Sequence, residues 1–351
     1  MAELALSDVR LRLGQSEILK GLTFTVLDGN VIALLGPAAS GKTTLLRAVA
    51  GLEQPHGGSI RVGERTFYDS LKRATLAAQK RQVGVMFPSD GLLPQRTVFE
   101  NLAFAARRGA AGANDIKECV DKVLDYIGGR DLGGRLPPQL SSADRARVAL
   151  ARALLRDPPL LLLDDPLGTL EGTARAETRA WMRQVLARLR ISTVMTTREP
   201  VEAMAIADRV VVLNMGRVEQ QGSPVDVYNE PETVFVAEYM AQSNRIEGTL
   251  VENAGTRAAL DVMGNRIGGV TQTRAAIGTK ALGLIRVERT HIGGGPGANR
   301  LPMKLATQMY VGERWEVVFV REALTVRAYT SAPLRHESYH VEFPPDAVWV
   351  F

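Results

Sequence analysis

Gly36-Pro37-Ala38-Ala39-Ser40-Gly41-Lys42-Thr43 follows the spacing G-x-x-x-x-G-K-[ST], the pattern of a loop that wraps a nucleotide's phosphates. Its glycines let the backbone curl so that amide N–H groups face the anion, Lys42 reaches the β/γ oxygens, and Thr43 is placed to ligate Mg²⁺. The flanking residues supply the context this reading needs. Val31-Ile32-Ala33-Leu34-Leu35 reads as a fully buried strand, and Thr44-Leu45-Leu46-Arg47-Ala48-Val49-Ala50 as a helix. The loop then joins strand to helix, with the positive helix N-terminus and Thr44 aimed at the phosphates.

A chain of 351 residues is expected to hold two domains, at roughly 150 residues each. Apolar residues make up 45% and charged ones 23%, the balance of a globular core. The net charge of +5 is spread along the chain without a basic stripe, so no nucleic-acid partner is expected. A single cysteine, Cys119, excludes an internal disulfide and a cysteine-built zinc site, fits a reducing compartment, and reads as a small apolar residue on a helix. With no signal-peptide pattern and no apolar run near the ~20 residues of a membrane helix, the chain is expected to be soluble and to meet a membrane only through partners.

Along the chain, Leu4–Leu13 alternates like an edge-type strand and Leu22–Val26 reads as another. Thr97-Val98-Phe99-Glu100 has capping-box spacing, and residues 116–127 and 171–190 read as amphipathic helices. Leu160-Leu161-Leu162-Leu163-Asp164-Asp165 is an apolar strand ending in two carboxylates. Ile191–Thr196 and Arg209–Leu213 are further buried strands around a helix at Glu202–Asp208. This alternation predicts a mostly parallel α/β sheet. Past residue 240 the texture turns to short β runs (Arg245–Val251, Ala281–Arg286, Glu316–Val320, Leu324–Tyr329) broken by glycine, with a loop at Gly293–Gly297. A small barrel-like second domain is expected there.

A carboxylate at the end of a strand neighbouring a phosphate loop suits Mg²⁺, which points to Asp164, and the next position suits a group that polarises water. With these residues in place, the chain resembles the ATP-binding subunits of ABC transporters, of the carbohydrate-uptake type exemplified by the maltose importer. The likeness runs through Leu34–Glu53, Leu92–Asn101, the helix Val148–Leu154, Gly216–Gln220, Gly222-Ser223-Pro224, Tyr228–Ala237 and Gly283–Arg286. It implies a P-loop ABC cassette over residues 1–238 with a helical subdomain at about 90–158, then a β-rich, OB/TOBE-like regulatory domain over 239–351. It also implies ATP and Mg²⁺ as cofactors, two transmembrane permease subunits, an extracytoplasmic solute-binding protein, and a peripheral place on the cytoplasmic face of the inner membrane. A sugar, polyol, glycerol or glycerol phosphate is the expected solute.

Where the family has its catalytic glutamate this chain has Asp165, and Arg198 stands at the switch histidine. Pro88 stands at the glutamine of the Mg²⁺-contacting loop, and Leu13 at the adenine-stacking aromatic. Arginine stays protonated and relays no proton; proline offers no side-chain oxygen. The family's signature Leu-Ser-Gly-Gly-Gln, which faces ATP bound to the partner subunit, reads Leu140-Ser141-Ser142-Ala143-Asp144 here, and the following loop reads Gly168-Thr169-Leu170-Glu171. Ser141 is retained, and Asp144 three residues later makes a good helix cap. These departures lead to three expectations: weak hydrolysis by the chain alone, pairing with a catalytically intact sister cassette in a heterodimer, and an ion pair between Arg198 and Asp165 that holds nucleotide. The alternative function is an ATP-binding, non-hydrolysing regulator or scaffold.

Overall fold

The apolar strand Val31–Leu35 is buried at every position, as a strand covered on both faces must be. It sits in a six-stranded sheet ordered Arg217–Gly222, Arg209–Asn214, Val31–Leu35, Ser192–Thr197, Leu160–Asp164, Gly84–Met86. Neighbours are parallel except for the hairpin of Arg209–Asn214 with Arg217–Gly222. This architecture comes from a computed structural model that describes residues 2–107 and 112–351. The register sets Leu35 beside Thr197 and Asp164 beside Thr196. The carboxyl ends of three strands therefore finish at one level, the edge where α/β sheets bind ligands. The helices Gly172–Leu189 and Pro200–Ile206 connect strands of this sheet, and Lys42–Ala50 leads from Val31–Leu35 out of it to Gly57–Val62.

A second, antiparallel sheet is ordered Ser16–Val26, Leu4–Leu13, Gly57–Val62, Arg65–Asp69, Ala74–Thr75. Leu4–Leu13 is paired on both sides, so the edge-type expectation is corrected. Its alternation of buried Leu4, Leu6, Val9 and Leu11 records one covered and one open face, which an interior antiparallel strand shares with an edge strand. One core joins the two sheets, with Leu11 and Phe24 from the antiparallel sheet packed with Ile32, Leu162 and Val194 and with Leu45 and Val49 of the phosphate-loop helix. The helices Val98–Ala106, Ala113–Ile127 and Ser142–Leu154 pack on one another within the stretch expected to be a helical subdomain; residues 108–111 of that stretch lie outside the described residues.

The chain divides into two compact units after Asn229, nine positions before the expected boundary at 238. The helix Val234–Met240 belongs with the second unit. There the fully buried Arg286 guanidinium donates to the carbonyls of Ala237 and of Ala241, the latter at 3.0 Å. This second unit holds a closed barrel of Ser243–Ala254, Arg257–Val262, Asn265–Thr271, Val348–Val350 and Lys280–Arg286. It also holds a five-stranded sheet ordered His291–Gly293, Ser338–Glu342, Arg300–Tyr310, Trp315–Arg321, Leu324–Thr330. Its own core centres on Ile246, Leu260, Phe319, Val326 and Phe343. The barrel-like expectation undercounted its strands, because Arg257–Val262 and Asn265–Thr271 carry only short apolar runs between turns.

Candidate functional site

The loop after Val31–Leu35 is tight. A Cβ on Gly36 would stand 2.2 Å from the Leu213 carbonyl oxygen, so the backbone passes where only glycine fits. The helix opens at Lys42, leaving its first amides toward the cleft. Lys42 is 8% exposed, and its ammonium donates to the carbonyls of Gly36 and Pro37 at 2.7 Å each and to Ser40 Oγ at 3.1 Å. Burial, followed by the nearby Arg198 guanidinium, pushes its pKa down to about 8, with Asp165 and Asp164 opposing. A buried cation hydrogen-bonded only to neutral oxygens is a site ready for an anion.

Asp164, 3% exposed, accepts hydrogen bonds on Oδ1 from Thr43 Oγ1 at 2.9 Å and Thr196 Oγ1 at 2.7 Å. A carboxylate beside a hydroxyl, next to a phosphate cradle, is the donor set Mg²⁺ accepts, since it binds through one or two carboxylates plus substrate phosphates. Asp165 has a left-handed backbone, φ 48°, and its N–H donates to Thr196 Oγ1 at 2.9 Å. Burial and then the Glu202 carboxylate raise its pKa, and Arg198 opposes. Arg198 Nη2 lies 4.0 Å from Asp165 Oδ2, with 62% of the arginine side chain exposed. Such a pair contributes no more than about 1 kcal/mol, so it orients the two groups and is too weak to clamp nucleotide by itself. Behind them, Glu202 is 1% exposed and accepts from Arg175 Nε and Thr197 Oγ1, both at 2.6 Å. It thereby ties the helix Gly172–Leu189 to the strand end that carries Arg198.

A cleft of about 380 Å³ takes in Ala38 to Thr44, Asp164, Asp165, Arg198 and Pro88. Leu13 is not part of its lining; it sits 45% exposed at the tip of its hairpin, paired with Ser16, and from that hairpin it is Ile18 that lines the cleft. Leu140, Ser142 and Pro88 border a separate hollow of about 510 Å³. The segment carrying Pro88 is tied to the signature helix by Arg152, whose guanidinium donates to the Asp90 and Gly91 carbonyls at 2.6 Å each. Ser141 caps the helix Ser142–Leu154: its Oγ accepts from Asp144 N at 3.1 Å and donates to Asp144 Oδ2 at 2.7 Å. Reading the sequence passed over Thr196, Thr197, Glu202, Arg175 and Ile18. The available signal was that Ser192, Thr193, Thr196 and Thr197 put hydroxyls into a buried strand, where every such group needs a partner.

The family described as "ABC transporter" matches residues 19–168. The chain is 40% identical over 249 residues to the sulfate/thiosulfate import ATP-binding protein CysA of Escherichia coli strain K12, covering 70% of this chain and 67% of that protein. The protein of the same name from Mesostigma viride is 39% identical over 242 residues, 69% of this chain and 68% of its own length. Among solved structures, it is similar to cbiO1 from Clostridium perfringens, described as part of the ABC transporter complex cbiONQ. That likeness has a TM-score of 0.58 and 26% identity over 65% of this chain and 91% of that one. It also shares its fold with the dimeric bacterial ABC transporter cassette MJ0796, with a TM-score of 0.53 and 24% identity over 63% of this chain and 98% of that one.

Proposed function

The chain belongs to the ABC transporter family, and on that premise we propose that it is the ATP-binding subunit of an importer, a peripheral subunit at the cytoplasmic membrane face beside two permease subunits and a solute-binding protein. The observation that carries this is the joining of the phosphate loop to a metal-competent carboxylate: Thr43 bonded to Asp164 at 2.9 Å beside the buried Lys42. No helix among the described residues is long and apolar enough to cross a membrane, so the transport path is assigned to partners.

In this reading the backbone N–H groups of Ala38–Thr44 bind the triphosphate, and Lys42 exchanges the carbonyls of Gly36 and Pro37 for phosphate oxygens. Thr43 and Asp164 would hold Mg²⁺, which would supply positive charge to the phosphates. Asp165 faces the attacking water and accepts its proton, and Arg198 adds positive charge beside the γ-phosphate position. Pro88 supplies no oxygen to the metal, and Leu13 no stacking face to adenine. Ser141, Ser142, Ala143 and Asp144 are assigned to ATP held by the partner cassette, with Ser141 turned onto its own helix cap.

The names of the relatives specify sulfate and thiosulfate, and none of those named specifies a sugar or polyol. We therefore infer a small oxyanion as the solute in place of the sugar, polyol, glycerol or glycerol phosphate expected from resemblance. Slow turnover, and a distinct sister cassette that completes the site, rest on Asp165, Arg198, Pro88 and the signature residues of this chain alone. The direct test of nucleotide capture is binding of a fluorescent ATP analogue with Mg²⁺. K42A is expected to weaken it at least about tenfold, the loss of a charge-assisted phosphate contact, and unchanged affinity would overturn the reading.

A further inference from the structure

One side chain outside the family-derived site residues carries two of the bonds that build the cleft. Thr196 Oγ1 donates its single proton to Asp164 Oδ1 at 2.7 Å and accepts the Asp165 N–H at 2.9 Å. A hydroxyl has one proton and two lone pairs, so both bonds form at once without conflict. Thr196 itself is 1% exposed. It therefore anchors the side chain of one carboxylate and the backbone of the next.

The second observation concerns where the Asp165 side chain goes. With φ at 48° the residue is turned back on the following loop. A Cβ at Gly168 would stand 2.5 Å from Asp165 Oδ2 and 2.7 Å from its carboxyl carbon. The Gly168 N–H meanwhile donates to the Asp165 carbonyl at 3.1 Å. The carboxylate thus occupies the volume that a side chain at position 168 would fill.

We propose that Thr196 and Gly168 are positioning residues of the nucleotide site. Thr196 makes the metal-binding and water-facing carboxylates one rigid unit, and Gly168 leaves the room in which the shorter Asp165 side chain settles beside Arg198. This rests on the roles given above to Asp164 and Asp165. The two residues act on different things. Removing the Thr196 hydroxyl takes one of two hydroxyl donors from Asp164 Oδ1 and the acceptor from the Asp165 N–H, whereas a methyl at 168 displaces only the Asp165 carboxylate.

The test uses the full chain as T196V, T196S and G168A. Its readouts are affinity for a fluorescent ATP analogue with Mg²⁺ and with EDTA, hydrolysis at saturating ATP, and thermal unfolding without nucleotide. T196V, close to isosteric, is expected to lose about tenfold in the Mg²⁺-dependent part of affinity, the usual cost of removing a partner that orients a metal ligand. Its affinity in EDTA stays within twofold of wild type. T196S keeps the hydroxyl and restores wild-type metal dependence. G168A keeps the metal dependence and alters turnover several-fold. Because the metal dependence is read from binding, it decides the matter for Thr196 even where hydrolysis is slow. A T196V protein with wild-type metal dependence, or a T196S protein as impaired as T196V, overturns the role of Thr196. G168A turning over as wild type overturns that of Gly168. A wild-type chain that fails to bind the analogue at all removes the underlying ATP reading, and this one with it.

Discussion

Asp165 is one methylene shorter than the glutamate its position would carry in the resembling family, and its surroundings explain how it is accommodated. Its carboxylate lies over Gly168 and 4.0 Å from the Arg198 guanidinium. A reacting group misplaced by about 1 Å loses roughly 10²-fold in rate, which makes low turnover the expected behaviour of this residue. The double substitution D165E/R198H lengthens the carboxylate and replaces the fixed cation with a titratable ring. Steady-state hydrolysis with Mg²⁺ is expected to rise at least about tenfold, part of the loss attributed to misplacement; no rise would remove these two residues as its cause. At this scale the sequence located the glycine-rich loop and the strand-end Asp164 that the fold brings together, because both sit at the ends of strands that spacing and apolar runs disclose. The partners of Thr196 and Glu202 were not legible, since a threonine in a buried strand signals only that it needs one and a glutamate on a helix is ordinary until its partner is known.

Single elements are held by caps that pattern alone only partly discloses. The capping box at Thr97 forms as its spacing predicts, with Thr97 N donating to Glu100 Oε2 at 2.7 Å and Glu100 N to Thr97 Oγ1 at 3.2 Å. The signature helix is capped by Ser141, so S141A is expected to lower stability by about 1 kcal/mol in urea unfolding. The phosphate-loop helix ends differently. Gly51 in the left-handed region turns its N–H to the Ala48 carbonyl at 3.2 Å. From a distant part of the chain, Arg81, 1% exposed, donates to the Ala48 and Val49 carbonyls at 2.7 and 2.8 Å. Its remaining donors reach Leu76 and Phe67 carbonyls, with the guanidinium 5.2 Å from the Phe67 ring centroid. Burial lowers its pKa to about 10, still a cation at neutral pH. R81A removes the guanidinium donors from these carbonyls, leaving Ala48 only the Gly51 N–H and Phe67 only the Leu76 N–H, and is expected to cost about 2–4 kcal/mol. A urea-unfolding loss under about 1 kcal/mol would show that the arginine is not what caps this helix.

For the whole molecule, the two units each carry their own core, as domains do, and the cleft lined by the phosphate loop and Asp164 lies in the first. The departures at Asp165, Arg198 and Pro88 and those at Ser142, Ala143 and Asp144 fall in one chain. A pair of identical copies would bring the altered base and the altered signature together in both composite sites, whereas an intact sister would leave each site one sound face. In light scattering, the chain with Mg²⁺ and ATP is therefore expected to remain monomeric at micromolar concentration until a sister cassette is added. ATP-driven dimers of this chain alone would sink the sister-chain proposal.

The sequence by itself determined the phosphate loop, the strand–loop–helix around it, the α/β character of the first unit and the β-rich character of the second. All of these follow from local spacing and from periodicity over a few residues. Only the tertiary structure decided that Leu4–Leu13 lies inside its sheet, that the second unit starts after Asn229, and that its strands close a barrel. The same holds for the convergence of Thr43, Asp164 and Thr196 on one oxygen and for the capping of Lys42–Ala50 by Arg81. Those outcomes depend on pairings between residues tens of positions apart, set by strand order and by the need of each buried polar group for a partner.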